Sequence, residues 1–346
     1  TRFIDAVHED WKKQKPFFLG QPSTVFLGGG TPTRCPPKYL RPLLEPFASS
    51  TTEISMECNP EDITPERLHD WRNIGIHRLS IGMQTLNPKF ARLLNRECTT
   101  EYAKEILQEV RQANWPSWSI DLIFALPEQT LTDLNQDLDA ILSLDVPHVS
   151  LYGLTWEQGT PFARALAHGR MHAVDDDLWR KQYDLIRDRL LSNGYLQYEV
   201  SNFAKPGHES RHNSLYWSDA PYVGLGPSAH GYRPDGTRTQ HVADVHQYMN
   251  HPEVQTHLPT RIQHAVDMLI SGLRSTVGIH PRRLLAKSGH TIESKRIHHL
   301  VTQGLITMEN GRIIPTHDGF PVSDAIVEYL IHGLVAQTDE NVPLLE

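Results

Sequence analysis

A run of three glycines and a threonine follows the first apolar segment of the chain, at residues 28–31. Residues 24–27 are β-branched, aromatic and aliphatic, which is typical of a buried strand that stops at the glycines. Glycine lets a ligand approach the backbone N–H groups closely. A tight turn with positive φ is the simpler interpretation, but one glycine would be enough for it. The run therefore favours a ligand-binding turn.

Polar side chains recur at or near the carboxyl ends of four later predicted strands. These residues are Glu57, Gln84, Asp121 and Thr155. The carboxyl ends of parallel strands meet at one edge of a sheet or barrel, where ligands bind in α/β folds. A structural interpretation would need a separate local partner for each group. We therefore expect a single site at this edge.

Composition limits the classes of function. The chain has 346 residues and a formal net charge of -8, which argues against a general nucleic-acid binder. It contains no apolar run long enough to span a membrane and no secretory signal pattern, so a cytoplasmic location is expected. Cys35, Cys58 and Cys98 are too few and too scattered for a disulfide framework.

The predicted elements alternate between strands and helices over the first part of the chain. Strands are predicted at 24–27, 53–58, 78–84, 119–127, 148–154 and 197–201, and one intervening helix has a buried stripe of Leu131, Leu134, Leu138 and Ile141. This α/β order requires a parallel sheet with right-handed crossovers. A partial (β/α) barrel over residues 1–201 fits the pattern best.

The rest of the chain is predicted to form two further parts. Residues 202–259 are rich in Pro, Gly, His and Tyr and are expected to form a loop-rich segment over the barrel. In residues 260–346, a helix over 293–303 precedes a hairpin with an Asn310-Gly311 turn, which indicates a small winged-helix-like α+β domain.

Two other patterns suggest rival functions. Gly224, Gly226 and Ala229 fit a loose dinucleotide fingerprint, but neither a strand before them nor a helix after them is predicted. The winged-helix-like part carries local positive charge, which suits a nucleic-acid module or a protein-contact module equally. Its basic residues are Arg282, Arg283, Lys287, Lys295 and Arg296.

Five motifs resemble one family in order and spacing. GGGTP at 28–32, ECNP at 57–60, RLSIGMQ at 78–84, LNR at 94–96 and IDLI at 120–123 with LP at 126–127 resemble the radical S-adenosylmethionine proteins related to oxygen-independent coproporphyrinogen III oxidase. Within this family, EVSNFA at 199–204, HNSLYW at 212–217 and GLGPSAH at 224–230 are similar to the heme chaperones rather than to the oxidase. The H-N-x-x-Y-W stretch is the distinguishing one.

The resemblance implies S-adenosylmethionine at the open end of a partial barrel of radical SAM type. Gly29, Gly30 and Thr31 would then offer backbone and hydroxyl contacts to the methionine moiety. Glu57 would hold the amino group, Gln84 and Arg96 would contact the methionine carboxylate or a second ligand, and Asp121 and Thr155 would line the nucleoside side. These residue types suit the task, because an ammonium group binds a carboxylate and a carboxylate binds Arg. A surface ion pair with Glu97 or Glu101 is the alternative role for Arg96.

The resemblance also implies a [4Fe-4S] cluster on a C-x₃-C-x₂-C loop, and this spacing is absent from the sequence. The chain starts at Thr1 inside a helical pattern, so we expect the first strand and the cluster ligands upstream of Thr1, in the intact protein. Loss of the cluster is the alternative. As given, the chain is not expected to cleave S-adenosylmethionine reductively.

For heme, the resemblance points to His212 as a candidate iron ligand, with Tyr216 and Trp217 beside the macrocycle and His230 as a second candidate. The implied function is that of a heme chaperone which binds heme and S-adenosylmethionine and delivers heme to acceptor proteins. Peripheral membrane association through acceptors and a homodimer are further expectations. The alternatives are an oxidase of porphyrin biosynthesis and a degenerate member without a cluster.

Overall fold

The computed structural model describes residues 2–49, 51–96 and 100–337. Two compact units are present: one is Ser23–His212, and the other joins Thr1–Pro22 to Asn213–Glu346. This division differs from the predicted boundaries after residues 201 and 259, because the first helix belongs to the unit that contains the end of the chain. Cys98 and Glu97 lie outside the described residues.

The unit Ser23–His212 is built on a seven-stranded sheet of order β1-β2-β3-β4-β5-β7-β6. Strands β1 to β5 are parallel, as the sequence predicts. The strands are β1 (Thr24–Leu27), β2 (Glu53–Cys58), β3 (Arg78–Gln84), β4 (Ser117–Phe124), β5 (His148–Gly153), β6 (Leu196–Gln197) and β7 (Asn202–Ala204).

The strand predicted at 197–201 is wrong. The chain instead forms the short strands β6 and β7, which pair with each other in antiparallel fashion, and β7 also pairs antiparallel with β5. The parallel series therefore ends at β5. The local sequence favours a single strand here, because the division into β6 and β7 depends on pairing with β5, which is a tertiary contact.

Helices alternate with the strands of the parallel series and continue to the end of the described chain. They are α1 (Arg2–Gln14), α2 (Pro37–Leu44), α3 (Pro65–Asn73), α4 (Pro88–Leu93), α5 (Thr100–Gln112), α6 (Leu131–Ser143), α7 (Pro161–Ala167), α8 (Asp176–Ser192), α9 (Arg211–Tyr216), α10 (Val245–Asn250), α11 (Arg261–Gly272), α12 (Pro281–Ser288), α13 (Ser294–Thr302) and α14 (Ser323–Ile331). Within these described ranges, none of the helices combines the length and apolar character that crossing a membrane requires.

The sheet has one apolar face and one polar face, since side chains alternate along each strand. In β3, Leu79, Ile81 and Met83 are buried in the core, while Ser80 lies on the opposite face and donates a hydrogen bond to Asp121 of β4. The polar face is therefore the one on which a ligand would find hydrogen-bonding side chains.

The second unit contains its own elements. Its strands are β8 (His230–Tyr232), β9 (Arg238–His241), β10 (Val254–His257), β11 (His290–Ile292), β12 (Ile306–Glu309), β13 (Arg312–Pro315) and β14 (Leu334–Ala336). The first three form one antiparallel sheet, so residues 202–259 hold more secondary structure than the sequence indicates. Strands this short leave no periodicity to detect.

The winged-helix-like prediction agrees with the fold of residues 260–337. Helices α11, α12, α13 and α14 enclose a core that includes Leu269, Leu284, Leu300 and Leu330. The predicted hairpin is confirmed, because β12 and β13 pair around Asn310 and Gly311, which both have positive φ.

Candidate functional site

The glycine turn lies at the carboxyl end of β1 and contacts Glu57 at the carboxyl end of β2. The Gly29 N–H donates to Glu57 Oε2 at 3.1 Å. Gly29 has φ of +98°, which explains one glycine, and a Cβ on Gly28 would lie 2.3 Å from the Phe26 ring, which explains another. Gly30 has open space where a Cβ would stand. The turn therefore leaves room for a ligand against backbone N–H groups.

Glu57 and Asp121 form an acidic pair on the polar face of the sheet. Burial raises the pKa of the Glu57 carboxyl; the Gly29 N–H opposes this shift and the charge of Asp121 adds to it. Burial likewise raises the pKa of Asp121, whose Oδ2 accepts from Ser80 at 2.7 Å. The Ser150 hydroxyl, like that of Ser80, lowers the pKa of Asp121, but Asp121 Oδ1 is buried and makes no hydrogen bond of normal geometry. A carboxylate in this state needs a donor, preferably a cation.

S-adenosylmethionine carries donors of both kinds, since its ammonium group is cationic and its ribose hydroxyls donate hydrogen bonds. The residues present therefore fit that ligand, judged by the buried Asp121 Oδ1 and by the open glycine turn.

Gln84 ends β3 in a strained backbone conformation. Its φ is +67°, and the register between β3 and β4 shifts between Ile81 and Gln84. Bulges of this kind re-aim side chains and are common beside functional sites. The turn that follows is held by Asp137 of α6, which accepts from Thr85 Oγ1 at 2.9 Å and from the Leu86 N–H at 3.2 Å.

Arg96, Thr31 and Thr155 lie at less enclosed positions. Arg96 forms a 3.7 Å ion pair with Glu61, which follows the carboxyl end of β2, whereas the predicted alternative partner Glu97 lies outside the described residues. Thr31 is half-buried, and Thr155 is exposed two residues after β5. Arg96 and Glu61 thus belong to the same sheet edge as Glu57.

The described cysteines do not fit a [4Fe-4S] cluster. Cys58 is buried and its pKa is raised well above the usual value by burial, while burial also raises the pKa of Cys35. Cluster iron binds thiolates, which both shifts disfavour. Within residues 2–49, 51–96 and 100–337, no group of three or more His, Cys, Asp and Glu side chains could hold a metal ion.

His212 lies beside β1. Its Nδ1 is 2.8 Å from Thr24 Oγ1, and its ring stacks on Phe26 with a 4.8 Å centroid separation and an interplanar angle of 7°. The His212 N–H donates to Glu53 Oε1 at 3.2 Å. Burial lowers the pKa of His212 to about 4, so the imidazole is neutral at pH 7. A neutral, oriented imidazole is the form that binds metals.

The other three heme candidates belong to the second unit. Tyr216 is 42% exposed and packs edge-on against Tyr222 at 4.8 Å, Trp217 is half-buried, and His230 is exposed at the start of β8. His212 belongs to the first unit.

Sequence reasoning missed Asp137 and Ser80. The predicted stripe of α6 includes Leu131, which is 37% exposed, whereas Asp137 is buried with the leucines. A carboxylate at stripe spacing among buried leucines is a detectable signal. Ser80 shares the alternating polar face with Glu57 and Asp121, so the period of two along β3 could have identified it.

The rival patterns gain no support from the geometry. Residues 224–229 lie between turns, with no helix opening after them as a dinucleotide fingerprint requires. Several of the basic residues pair with acids: Arg283 and Lys287 bind Asp219, and Arg296 and Lys295 bind Glu293.

Comparison with known proteins identifies the family. Residues 5–141 match the model of the Radical SAM superfamily. The heme chaperone HemW of Bacillus subtilis is 33% identical over 317 residues, which cover 87% of this chain and 83% of that protein. The heme chaperone HemW of Mycobacterium tuberculosis is 32% identical over 320 residues, covering 89% and 80% of the two chains.

A solved structure has the same fold. The coproporphyrinogen III oxidase HemN from Escherichia coli, a radical SAM enzyme, superposes with a TM-score of 0.72 at 23% identity, covering 95% of this chain and 82% of that one. The likeness to HemN concerns the fold alone, whereas the sequence likeness to the two chaperones extends over most of each chain. The chain therefore belongs to the HemW family of radical SAM proteins.

Proposed function

We propose that the protein is a heme chaperone that binds heme and S-adenosylmethionine and delivers heme to acceptor proteins. The observation that carries the proposal is the sequence likeness to proteins named as heme chaperones over more than four fifths of the chain. The H-N-x-x-Y-W stretch and the acidic pair at the sheet edge are consistent with it.

In this proposal S-adenosylmethionine lies over the carboxyl ends of β1 to β4. Glu57 holds the ligand's ammonium group and the backbone of Gly29 and Gly30 contacts its methionine part, with the Thr31 hydroxyl beside them. Asp121 lines the nucleoside side, together with Thr155. Gln84 and Arg96 contact the ligand's carboxylate. The buried Asp121 Oδ1, which makes no hydrogen bond of normal geometry, supports a donor-rich ligand here.

A [4Fe-4S] cluster in the intact protein would supply electron transfer to S-adenosylmethionine. Cys35 and Cys58 do not suit it, so its ligands would lie outside the described residues. No step of the proposed heme delivery is assigned to the cluster.

His212 is the proposed heme ligand, with coordination through Nε2 because Nδ1 is bonded to Thr24. Tyr216 and Trp217 would flank the macrocycle, and His230 is the second candidate ligand. Heme acceptors, a cytoplasmic location, a homodimer and membrane contact through acceptors are parts of the same proposal.

The test is a heme titration followed at the Soret band, paired with an anaerobic decarboxylation assay on coproporphyrinogen. We expect stoichiometric heme uptake without decarboxylation. Turnover of coproporphyrinogen would replace the chaperone with the second candidate, an oxidase. Calorimetric titration with S-adenosylmethionine separates both from a degenerate family member that binds neither ligand.

The His212→Ala variant tests the ligand assignment. We expect at least a tenfold loss of heme affinity and a changed Soret maximum, because an iron ligand is removed. His172→Ala is the control, since His172 is exposed. Unchanged heme binding by the His212 variant would make the assignment wrong.

A further inference from the structure

The polar face of the sheet carries a second row of polar residues below the acidic pair, and we call it the basic row because it contains Arg78. Ser55 of β2, Arg78 of β3 and Ser117 of β4 are register partners, two residues before Glu57 and Ser80. Residues two apart along a strand share a face and lie roughly 7 Å apart. The basic row is therefore on the same face as the acidic pair, toward the amino ends of the strands.

Arg78 is buried without a counter-charge in contact. It is only 3% exposed, and its Nη1 donates to Ser117 Oγ at 2.7 Å and to the His208 carbonyl at 3.0 Å. Its Nη2 is buried and has no hydrogen-bond partner. Among the residues that the structure describes, Arg78 forms no salt bridge with a carboxylate. The guanidinium nevertheless stays charged near neutral pH.

His148 and Ser55 add two unsatisfied polar atoms to the same region. His148 is 1% exposed, its Nε2 is 2.7 Å from Tyr198 Oη, and its Nδ1 is buried without a partner. Burial, followed by the charge of Arg78, lowers the pKa of His148 well below its ordinary value, which indicates that the two groups are neighbours and that His148 is neutral. Ser55 Oγ is also buried without a partner.

An anion would satisfy these groups together. A buried charge without compensation is strongly disfavoured, and each unsatisfied buried polar atom adds to the cost. The carboxylates that act on Arg78, namely Glu53, Asp121 and Glu209, do so only as more distant charges. We propose that Arg78, with Ser55 and His148, forms an anion site on the polar face of the sheet that takes a carboxylate or an oxyanion of similar size.

The bound anion comes from one of two sources. It is either a free oxyanion or a propionate of the tetrapyrrole; only the second source rests on the proposed heme function. Because the site lies one row below the acidic pair, a ligand bound across this face would meet acidic groups at one end and a cation at the other.

The first experiment measures thermal unfolding in increasing acetate or phosphate at fixed ionic strength. We expect the Tm of the wild type to rise as the anion occupies the folded state, and Arg78→Met to lose the effect. Arg72→Met is the matched control, because Arg72, like Arg78, makes two hydrogen bonds through its guanidinium, to the carbonyls of Ala113 and Asn114, but is exposed. Should Arg78→Met fail to fold, Ser55→Ala replaces it, with an expected twofold to fivefold loss of anion affinity.

The second experiment compares heme with heme dimethyl ester. If a propionate occupies the site, the wild type binds the diacid at least tenfold more tightly than the ester, and Arg78→Met abolishes the difference. Equal binding of both hemes together with saturable stabilisation by acetate or phosphate assigns the site to free oxyanions. No saturable stabilisation and no discrimination would overturn the proposal. If neither heme binds, the proposed function fails, while the oxyanion titration still decides the site.

Discussion

Replacing Asp137 by Asn should change how the stability of the protein depends on pH. Asp137 is 3% exposed and accepts hydrogen bonds from Thr85 and Leu86, which directly follow Gln84. Burial raises the pKa of Asp137 from 3.8 to about 6, against the opposing effect of these two hydrogen bonds. The turn beside the candidate site is therefore held by a carboxyl group that ionises at a cost.

The sign and size of this effect on stability follow from the difference between the pKa of Asp137 in the folded state and its pKa in the unfolded state. Between pH 4 and pH 6 the folded state binds more protons, so the contribution of Asp137 to stability is present at low pH and is lost as pH rises through about 6. The difference between the two pKa values corresponds to about 3 kcal/mol in all, roughly half of it between pH 5 and pH 7.

Urea unfolding followed by tryptophan fluorescence between pH 5 and pH 7 measures this effect. The asparagine side chain does not ionise, so Asp137→Asn should gain about 1 to 2 kcal/mol relative to the wild type across this range. Any loss from the weaker acceptor set is independent of pH. Asp139→Asn is the control, because Asp139 lies on the same helix but is exposed. Parallel stability curves for the wild type and Asp137→Asn would refute the argument.

Two further predictions concern the sheet edge. Glu57→Gln should weaken S-adenosylmethionine binding by about tenfold to a hundredfold in calorimetric titration, because a charge-assisted hydrogen bond contributes about 1.5–3 kcal/mol; the exposed Glu45→Gln serves as control, and unchanged affinity would remove Glu57 from the site. Gly29→Ala should lower the free energy of unfolding by about 1–2 kcal/mol, since an alanine is strained at positive φ. Gly30→Ala, which meets open space, should be near neutral, and an equal effect of both variants would contradict the backbone explanation.

The parallel core of the fold could be predicted because local pattern and tertiary structure agree there. Residues 24–27 and 78–84 alternate or stop at glycine, and both form strands of the sheet. The hairpin of β6 and β7 could not be predicted, because it depends on pairing between Phe203 and Val149 of β5. Likewise, the grouping of the first helix with the end of the chain leaves no trace in local sequence.

The sequence predicts the acidic residues of the candidate site but not the buried residues that hold the surrounding backbone and strands. Glu57 is the penultimate residue of β2, where position alone indicates a ligand, and Asp121 lies within β4, three residues before its end, on the same face of the sheet. Asp137 and Arg78 act through contacts made by neighbouring elements, which periodicity does not encode. Residues of this kind can be identified only from a structure, by their burial and their hydrogen-bond partners.

The pairing of the first helix with distant residues has a consequence for the order of folding. Asp10 of α1 is fully buried, and its Oδ2 accepts from Tyr248 Oη at 2.8 Å, a contact between residues 238 positions apart. During synthesis α1 leaves the ribosome long before its partners exist, whereas Ser23–His212 is continuous and can fold as soon as it is complete. The burial of Asp10 in α1 can therefore be completed only after Tyr248, in the last third of the chain, has been synthesised.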